Sequence, residues 1–293
     1  MRISVWTDVD LDGAASFLVL KWFLPADVEI DLHTCGPALL KERLTYWCSN
    51  FVPADFDQIY FLDLDTTPVA DLIDMKNVVI YDHHESHFAQ ALNYKKAKAY
   101  VKACKSTAQL IYDENKAVPV VQLTDAQKRL ILMVSDYDSY TLRLKESKFL
   151  NYLFWTYTGN RVKLFAEEFN QGFNGFTNLQ KGSIGLFIKH LFEAIKDLQF
   201  YVGKLGEYKV LSTFCENYHN DIAEHLESKN LADIFMLVNL KQQRVSFRKS
   251  KSCSADVSVI AADLCDGGGH QAASGGKITD KFLAFAQTLK QLK

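Results

Sequence analysis

Short apolar runs at residues 2–7, 28–33, 59–62 and 78–81 alternate with segments of helical periodicity at 13–24, 39–48 and 69–75. Strands alternating with helices at this spacing build βαβ units, so the chain is constrained to an α/β fold with a mainly parallel sheet flanked by helices. In such sheets ligands bind beyond the carboxyl ends of the strands, where loops and side chains converge.

The acidic clusters fall at those ends. Asp8, Asp10 and Asp12 follow the first strand, Asp63 and Asp65 the third, and Asp82-His83-His84 the fourth. A further cluster, Asp136-Tyr137-Asp138, closes an apolar helix that begins near Thr124 and Asp125. Taken singly, each has a plain structural reading, since an Asp between a strand and a helix is commonly an N-cap. Their coincidence in one βαβ series favours metal ligation instead. Carboxylate oxygens and imidazole nitrogens are the ligands divalent ions take. A bridging carboxylate can hold two ions roughly 3.5–4 Å apart, around the oxygens of a phosphoryl displacement. Alternate residues of an extended segment share one side, so Asp8, Asp10 and Asp12 need the bend at Gly13 to serve two ions.

The second half reads differently. Aromatic residues crowd positions 145–175, where helical spacing favours a packed core over a stacking platform. Residues 181–203 have the length of a connector helix, with a turn at 203–207. A strand at 209–213, a helix at 221–227, strands at 234–240 and 244–248 and a helix at 257–265 then form a smaller α/β domain with its own sheet. Its glycine run, 267–276, either makes a tight turn or cradles a phosphate beside His270, with Arg248 nearby in sequence as a phosphate-binding cation.

A net charge of −2, from 33 Lys plus Arg against 35 Asp plus Glu, argues against coating long nucleic acid. Lys241, Arg244, Arg248, Lys249 and Lys251 form the one local basic segment, which reads equally well as a solvated face. Six cysteines without metal-site spacing read as free thiols of a reducing compartment. Early charges at the N-terminus and the lack of a long apolar run make cytoplasm, with no membrane contact, the expectation.

In combination these motifs resemble the DHH phosphoesterase family, in the subgroup with a DHH-associated C-terminal domain that includes RecJ-like exonucleases and nanoRNase-type oligoribonucleases. The resemblance rests on Asp8 to Gly13, Asp63, Asp82-His83-His84, Asp136, the segment 244–248, and Gly267-Gly268-Gly269-His270-Gln271-Ala272-Ala273. It implies a catalytic domain over 1–178, a connector over 179–206 and a substrate-binding domain with a mixed sheet over 207–293. It also implies two divalent ions, manganese first and magnesium second. Asp8, Asp10 and Asp63 would hold one ion, and Asp12, Asp63, His83 and Asp136 the other, with Asp63 bridging. His84 would face the substrate phosphate, Asp82 would orient the histidines, and Arg248, Gly268, Gly269 and His270 would grip substrate in a cleft between the domains. Several subgroups carry a His where this chain has Asp8, which makes the first ion's ligands all oxygen.

The expected activity is two-metal-activated hydrolysis of short single-stranded RNA, DNA or dinucleotides to mononucleotides. A RecJ-like exonuclease on longer single-stranded DNA, a cyclic-dinucleotide or nucleotide 3′-phosphate hydrolase, and an inactive nucleotide sensor are the alternatives. Monomer and homodimer both remain open at this point.

Overall fold

The computed structural model describes residues 1–117, 121–229 and 231–292, with His270 described by its backbone alone. The chain divides into two compact units, Met1–Phe187 and Ile188–Lys293.

The first unit runs β1 (Arg2–Thr7), α1 (Leu11–Phe23), β2 (Glu29–Thr34), α2 (Pro37–Asn50), β3 (Gln58–Leu62), α3 (Ala70–Ile73), β4 (Val78–Asp82), α4 (Phe88–Ala91), β5 (Lys98–Val101), α5 (Thr107–Asn115), α6 (Asp125–Asp138), α7 (Lys145–Thr156) and α8 (Arg161–Glu168). The strands form a five-stranded sheet in the order β2-β1-β3-β4-β5, with every neighbouring pair parallel. The order reverses direction at β1, and such a reversal opens a crevice at the carboxyl edge.

On one face α2 buries Leu40, Leu44 and Trp47 against Trp6, Ile59 and Phe61 of the sheet. On the other, α1 is buried at every position from Leu11 to Leu20 and packs against α5, α6 and α8. A helix so enclosed is apolar on most sides, and between Leu11 and Leu20 only Asp12 and Ser16 carry polar side chains. The aromatic stretch is largely core as expected, with Tyr152, Phe154, Phe165, Phe169 and Phe173 buried. β5 was not foreseen: four residues with Lys98 at one end are too short and polar to stand out, as edge strands usually are.

The long helix α9 spans Asn178–Lys196 and crosses the division between the units. It ends seven residues short of the expected 203, because Phe200–Leu205 is a strand, β6. β6 pairs with β7 (Tyr208–Phe214) through a two-residue turn whose Gly206 has φ 60°. Strand-favouring side chains from Phe200 on and a left-handed glycine favour a hairpin over helix there.

After β7 come α10 (His219–Ser228), β8 (Ile234–Asn239), β9 (Arg244–Lys249), α11 (Val257–Cys265), β10 (Gly268–His270), β11 (Ala273–Lys277), α12 (Asp280–Ala286) and β12 (Lys290–Gln291). The seven strands form a mixed sheet, β10-β11-β9-β8-β7-β6-β12, in which only β7 and β8 are parallel. Alternation along β7 and β8 serves two cores: Val210, Ile234 and Met236 meet α11 and α12, whereas Leu211, Phe235 and Leu237 meet α10. All six cysteines are free thiols. Among the described residues no helix is long and apolar enough to cross a membrane.

Candidate active site

The carboxyl ends of β1, β3 and β4 deliver most of the acidic residues to one place. β1 turns directly into α1, and Asp10 caps that helix by accepting from Gly13 N at 2.9 Å. The turn closes only because residue 13 is glycine: a Cβ there would lie 2.5 Å from the Asp8 carbonyl oxygen. In the first turn of α1, Asp12 is 1% exposed and accepts from Thr107 N (2.6 Å) and Ala108 N (3.1 Å) at the start of α5. An anionic side chain is favoured at a helix N-terminus.

Asp63 follows β3 with φ 58°, a left-handed conformation that Asp adopts more readily than most residues. The kink buries its carboxylate, which accepts from the Thr107 hydroxyl at 2.9 Å. Backbone strain of this kind persists where the surroundings enforce it, and it concentrates at functional sites.

The two histidines after β4 are held by different partners. His83 Nδ1 lies 3.2 Å from the Cys104 carbonyl oxygen. A carbonyl only accepts, so Nδ1 carries a proton and Nε2 is the nitrogen turned to the carboxylates, where its lone pair would meet a bound cation. That Nε2 stands 3.2 Å from Asp138, 3.6 Å from Asp63 and 3.8 Å from Asp12. His84 Nδ1 instead donates to Asp82 at 2.7 Å, and His87 Nδ1 donates to the other oxygen of the same carboxylate at 2.8 Å. Asp82 also accepts from the backbone N–H groups of His83 (2.8 Å) and His84 (3.3 Å).

Charge follows from this packing. Burial, then the neighbouring Asp10, pushes Asp8 up to about 7. Burial, then Asp12 and Asp10, pushes Asp138 up to about 9, and burial with Asp12 and Asp10 holds Asp63 well above the usual carboxylate range. Asp12 is raised by burial too, although His83 opposes it. Asp82 behaves oppositely: burial acts against its charge, but hydrogen bonds from His84 and His87 hold its carboxyl below the ordinary range. In return the Asp82 hydrogen bond lifts His84 to about 9.

Two groups of ligand atoms lie within 4.8 Å of one another: Asp63 with His83 and His84, and Asp12 with His83 and Asp138. Buried carboxylates that raise one another's affinity for protons, facing an imidazole nitrogen, fit a divalent cation that would relieve the repulsion. Three carboxylates surround His83 Nε2, so the residues of these groups best placed to hold metal are Asp12, Asp63, His83 and Asp138.

The structure places the other expected residues as follows. Asp8 and Asp10 lie within electrostatic reach of the cluster but belong to neither ligand group. Asp136, expected as a ligand, does not join it. Its carboxylate accepts from Arg143 N (2.9 Å), Leu144 N (2.9 Å) and the Ser147 hydroxyl (2.7 Å), fastening α6 to the start of α7. These bonds outweigh burial and hold Asp136 below the ordinary range. Asp138 occupies the position expected for it, since residues 131, 134, 135 and 138 share one helical face and 136 lies on another. Thr107, the Cys104 carbonyl and His87 also escaped the sequence reading.

In the second unit, Arg248 sits on β9 beside Ala273 of β11 and donates to Asn220 of α10 at 2.7 Å. Gly268 and Gly269 lie on β10, so the glycine run is a hairpin and not a loop. The side chain of His270 lies outside the described residues.

Residues 2–134 match the model of the DHH family, N-terminal domain. No curated protein matches the chain at a significant level. A pGpG-specific phosphodiesterase from Vibrio cholerae is 15% identical over 98% of this chain and 96% of that one, with a TM-score of 0.58. An exopolyphosphatase-related protein from Bacteroides fragilis is 15% identical over 98% and 91%, with a TM-score of 0.55. RecJ in complex with Mn2+ from Thermus thermophilus is 17% identical over 98% of this chain and 51% of that one, with a TM-score of 0.54. At these identities the likeness establishes a shared fold.

Two outcomes follow from the site. Asp136→Ala will lower stability by about 2 kcal/mol in denaturant unfolding, through three lost hydrogen bonds, and leave Mn2+ affinity within a few-fold. Asp138→Ala will do the reverse, weakening Mn2+ binding by about 10-fold or more in calorimetry while the fold holds. The pH dependence has a definite sign. Asp8 and Asp138 bind protons more tightly folded than unfolded, so their contribution is full below about pH 4 and is lost as pH rises through about 7 and 9. Mn2+ will therefore raise the melting temperature more at pH 8 than at pH 6, and its binding will release protons, read by calorimetry in buffers of different ionisation enthalpy.

Proposed function

We propose, from a chain that carries the DHH-family N-terminal domain, that this protein is a metal-dependent phosphodiesterase that hydrolyses short single-stranded oligonucleotides, dinucleotides included, to mononucleotides. The observation that carries this reading is His83 Nε2, which faces Asp12, Asp63 and Asp138 at 3.2–3.8 Å. Divalent ions held there, manganese in the first place and magnesium in the second, would supply water activation and charge neutralisation at a phosphate.

Asp12, Asp63, Asp138 and His83 would hold the ions, with Asp8 and Asp10 completing the set on the β1 side. Asp63, buried and 3.6 Å from His83 Nε2, would share in holding them, as a carboxylate has two oxygens to give. His84 is 42% exposed and positively charged at neutral pH, which suits it to a substrate phosphate. Net charge near zero and the modest basic content favour short substrates over long strands. A dinucleotide is also the substrate named for one protein of the same fold.

In the second unit Arg248 and the glycine hairpin are the proposed phosphate grip. The glycines are not equivalent. A Cβ on Gly267 would lie 2.0 Å from the Gly275 carbonyl oxygen, and one on Gly269 2.8 Å from that of Ala273, so their smallness serves the hairpin. A Cβ on Gly268 would meet nothing within 4 Å. Its bareness has no packing cause, and an approaching phosphate supplies one.

The test is to incubate the protein with Mn2+ and a panel of dinucleotides, longer labelled single strands and cyclic dinucleotides, and follow products over time. Mononucleotides should form first from the shortest linear substrates, and Asp63→Ala should abolish turnover. Preferential loss of long strands would favour RecJ-like action. Chelator-resistant hydrolysis, full activity of Asp63→Ala, or Mn2+ binding without turnover of any substrate would sink the proposal. Separately, Gly268→Val should leave the melting temperature near wild type and raise KM by about 10-fold, one lost contact's worth. Gly267→Ala should instead cost about 1–3 kcal/mol of stability through overpacking.

A further inference from the structure

Behind His84 lies a buried chain of polar side chains that the proposed chemistry does not use. Asp82 accepts from His84 through one oxygen and from His87 through the other. The opposite edge of His87 continues outward: Nε2 lies 2.9 Å from the Thr66 hydroxyl, which lies 2.7 Å from the Tyr94 hydroxyl. His87, Thr66 and Asp82 are all 0% exposed.

A carboxylate only accepts, so His87 Nδ1 donates to Asp82, and Nε2 is the nitrogen turned to the Thr66 hydroxyl, which in turn meets the Tyr94 hydroxyl. Each group satisfies the next, and a buried network completed in this way admits one arrangement of its members. The chain also joins two segments that carry the site. Thr66 stands three residues after Asp63, and His87 three residues after His84. A second link runs parallel, from the Ser86 hydroxyl to Asp65 at 2.8 Å.

From this geometry we propose that His87, backed by Thr66 and Tyr94, is a positioning residue that fixes Asp82 and, through it, the orientation of the His84 ring. Without His87, one Asp82 oxygen would be buried without its donor and the carboxylate would lose the contact that sets its rotation. His84 would then sample orientations in which its Nδ1 no longer meets Asp82. The His83 cluster has its own anchor at the Cys104 carbonyl, so metal affinity should be nearly indifferent to the change. The bracing itself is independent of the reaction, whereas its effect on turnover rests on the phosphodiesterase reading.

The experiment follows the proton between His84 Nδ1 and Asp82 by NMR on the intact chain, alongside steady-state kinetics and Mn2+ calorimetry. Wild type should show a downfield, slowly exchanging His84 Nδ1–H resonance. In His87→Leu that resonance should vanish and kcat fall about 10- to 100-fold, the usual scale for partners behind a site, with Mn2+ affinity within about threefold. His87→Asn, whose amide nitrogen can stand near the place of Nδ1, should restore the resonance and most of kcat. Should His87→Leu fail to fold, Thr66→Val, nearly isosteric, should broaden the resonance and lower kcat several-fold. A folded His87→Leu or Thr66→Val with an unchanged resonance would overturn the proposal, as would the absence of the resonance in wild type. If the resonance responds as expected but wild type cleaves no phosphodiester, the bracing stands and the proposed function falls.

Discussion

Everything at the carboxyl edge of the first sheet is organised around one electrostatic problem: carboxylates are gathered where water has largely been removed. Burial and mutual repulsion both oppose their ionisation, and either would be costly left uncompensated. Part of the compensation is built from the chain. The start of α5 gives Asp12 two backbone N–H groups, and Thr107 gives Asp63 its hydroxyl. These bonds orient Asp12 and Asp63 but do not restore ordinary acidity to the cluster, because burial and mutual repulsion still hold Asp63 well above the usual range and push Asp138 up to about 9. An arrangement of this kind suits a cation, and the neighbouring elements hold it together without one.

The fold explains how so many like charges come to lie together. Consecutive parallel strands all present their carboxyl ends on one edge, so residues 12, 63 and 83 are neighbours although far apart in sequence. That much was legible from the alternation of apolar runs and helical segments, since β1, β3 and β4 are interior strands with strong patterns. β5 was not, because an edge strand of four residues leaves no apolar run to read. The end of α9 and the start of β6 were equally obscure, as residues 197–202 carry no glycine or proline to mark the change.

Within the site, legibility tracked whether a residue's role is set by local sequence or by tertiary packing. Asp12, Asp63 and His83, which the fold brings together, could be singled out because each ends or follows an apolar element. Asp136 and Asp138 are two residues apart in one helix, and both are acidic. Only the helical phase separates them: the face of Ile131 and Val134 leads to Asp138, while Asp136 turns towards the start of α7. Reading the cluster as a strand-like unit hid that distinction. Thr107 and His87 were out of reach for another reason, since a hydroxyl and a histidine outside the Asp82-His83-His84 run give no signal until the chain is folded.

The contrast between adjacent histidines shows how little the residue type decides. His83 and His84 share a backbone segment and a side chain, yet one is anchored by a neutral carbonyl and the other by a carboxylate. A carbonyl holds Nδ1 while adding no charge, so His83 turns Nε2 towards the carboxylates. A carboxylate stabilises the protonated ring, so His84 is a cation across the neutral range. The proposed ligand and phosphate-facing roles thus diverge one residue apart because Cys104 and Asp82 supply different partners to Nδ1. A His-His pair in any sequence leaves this open, and only the atoms behind the rings resolve it.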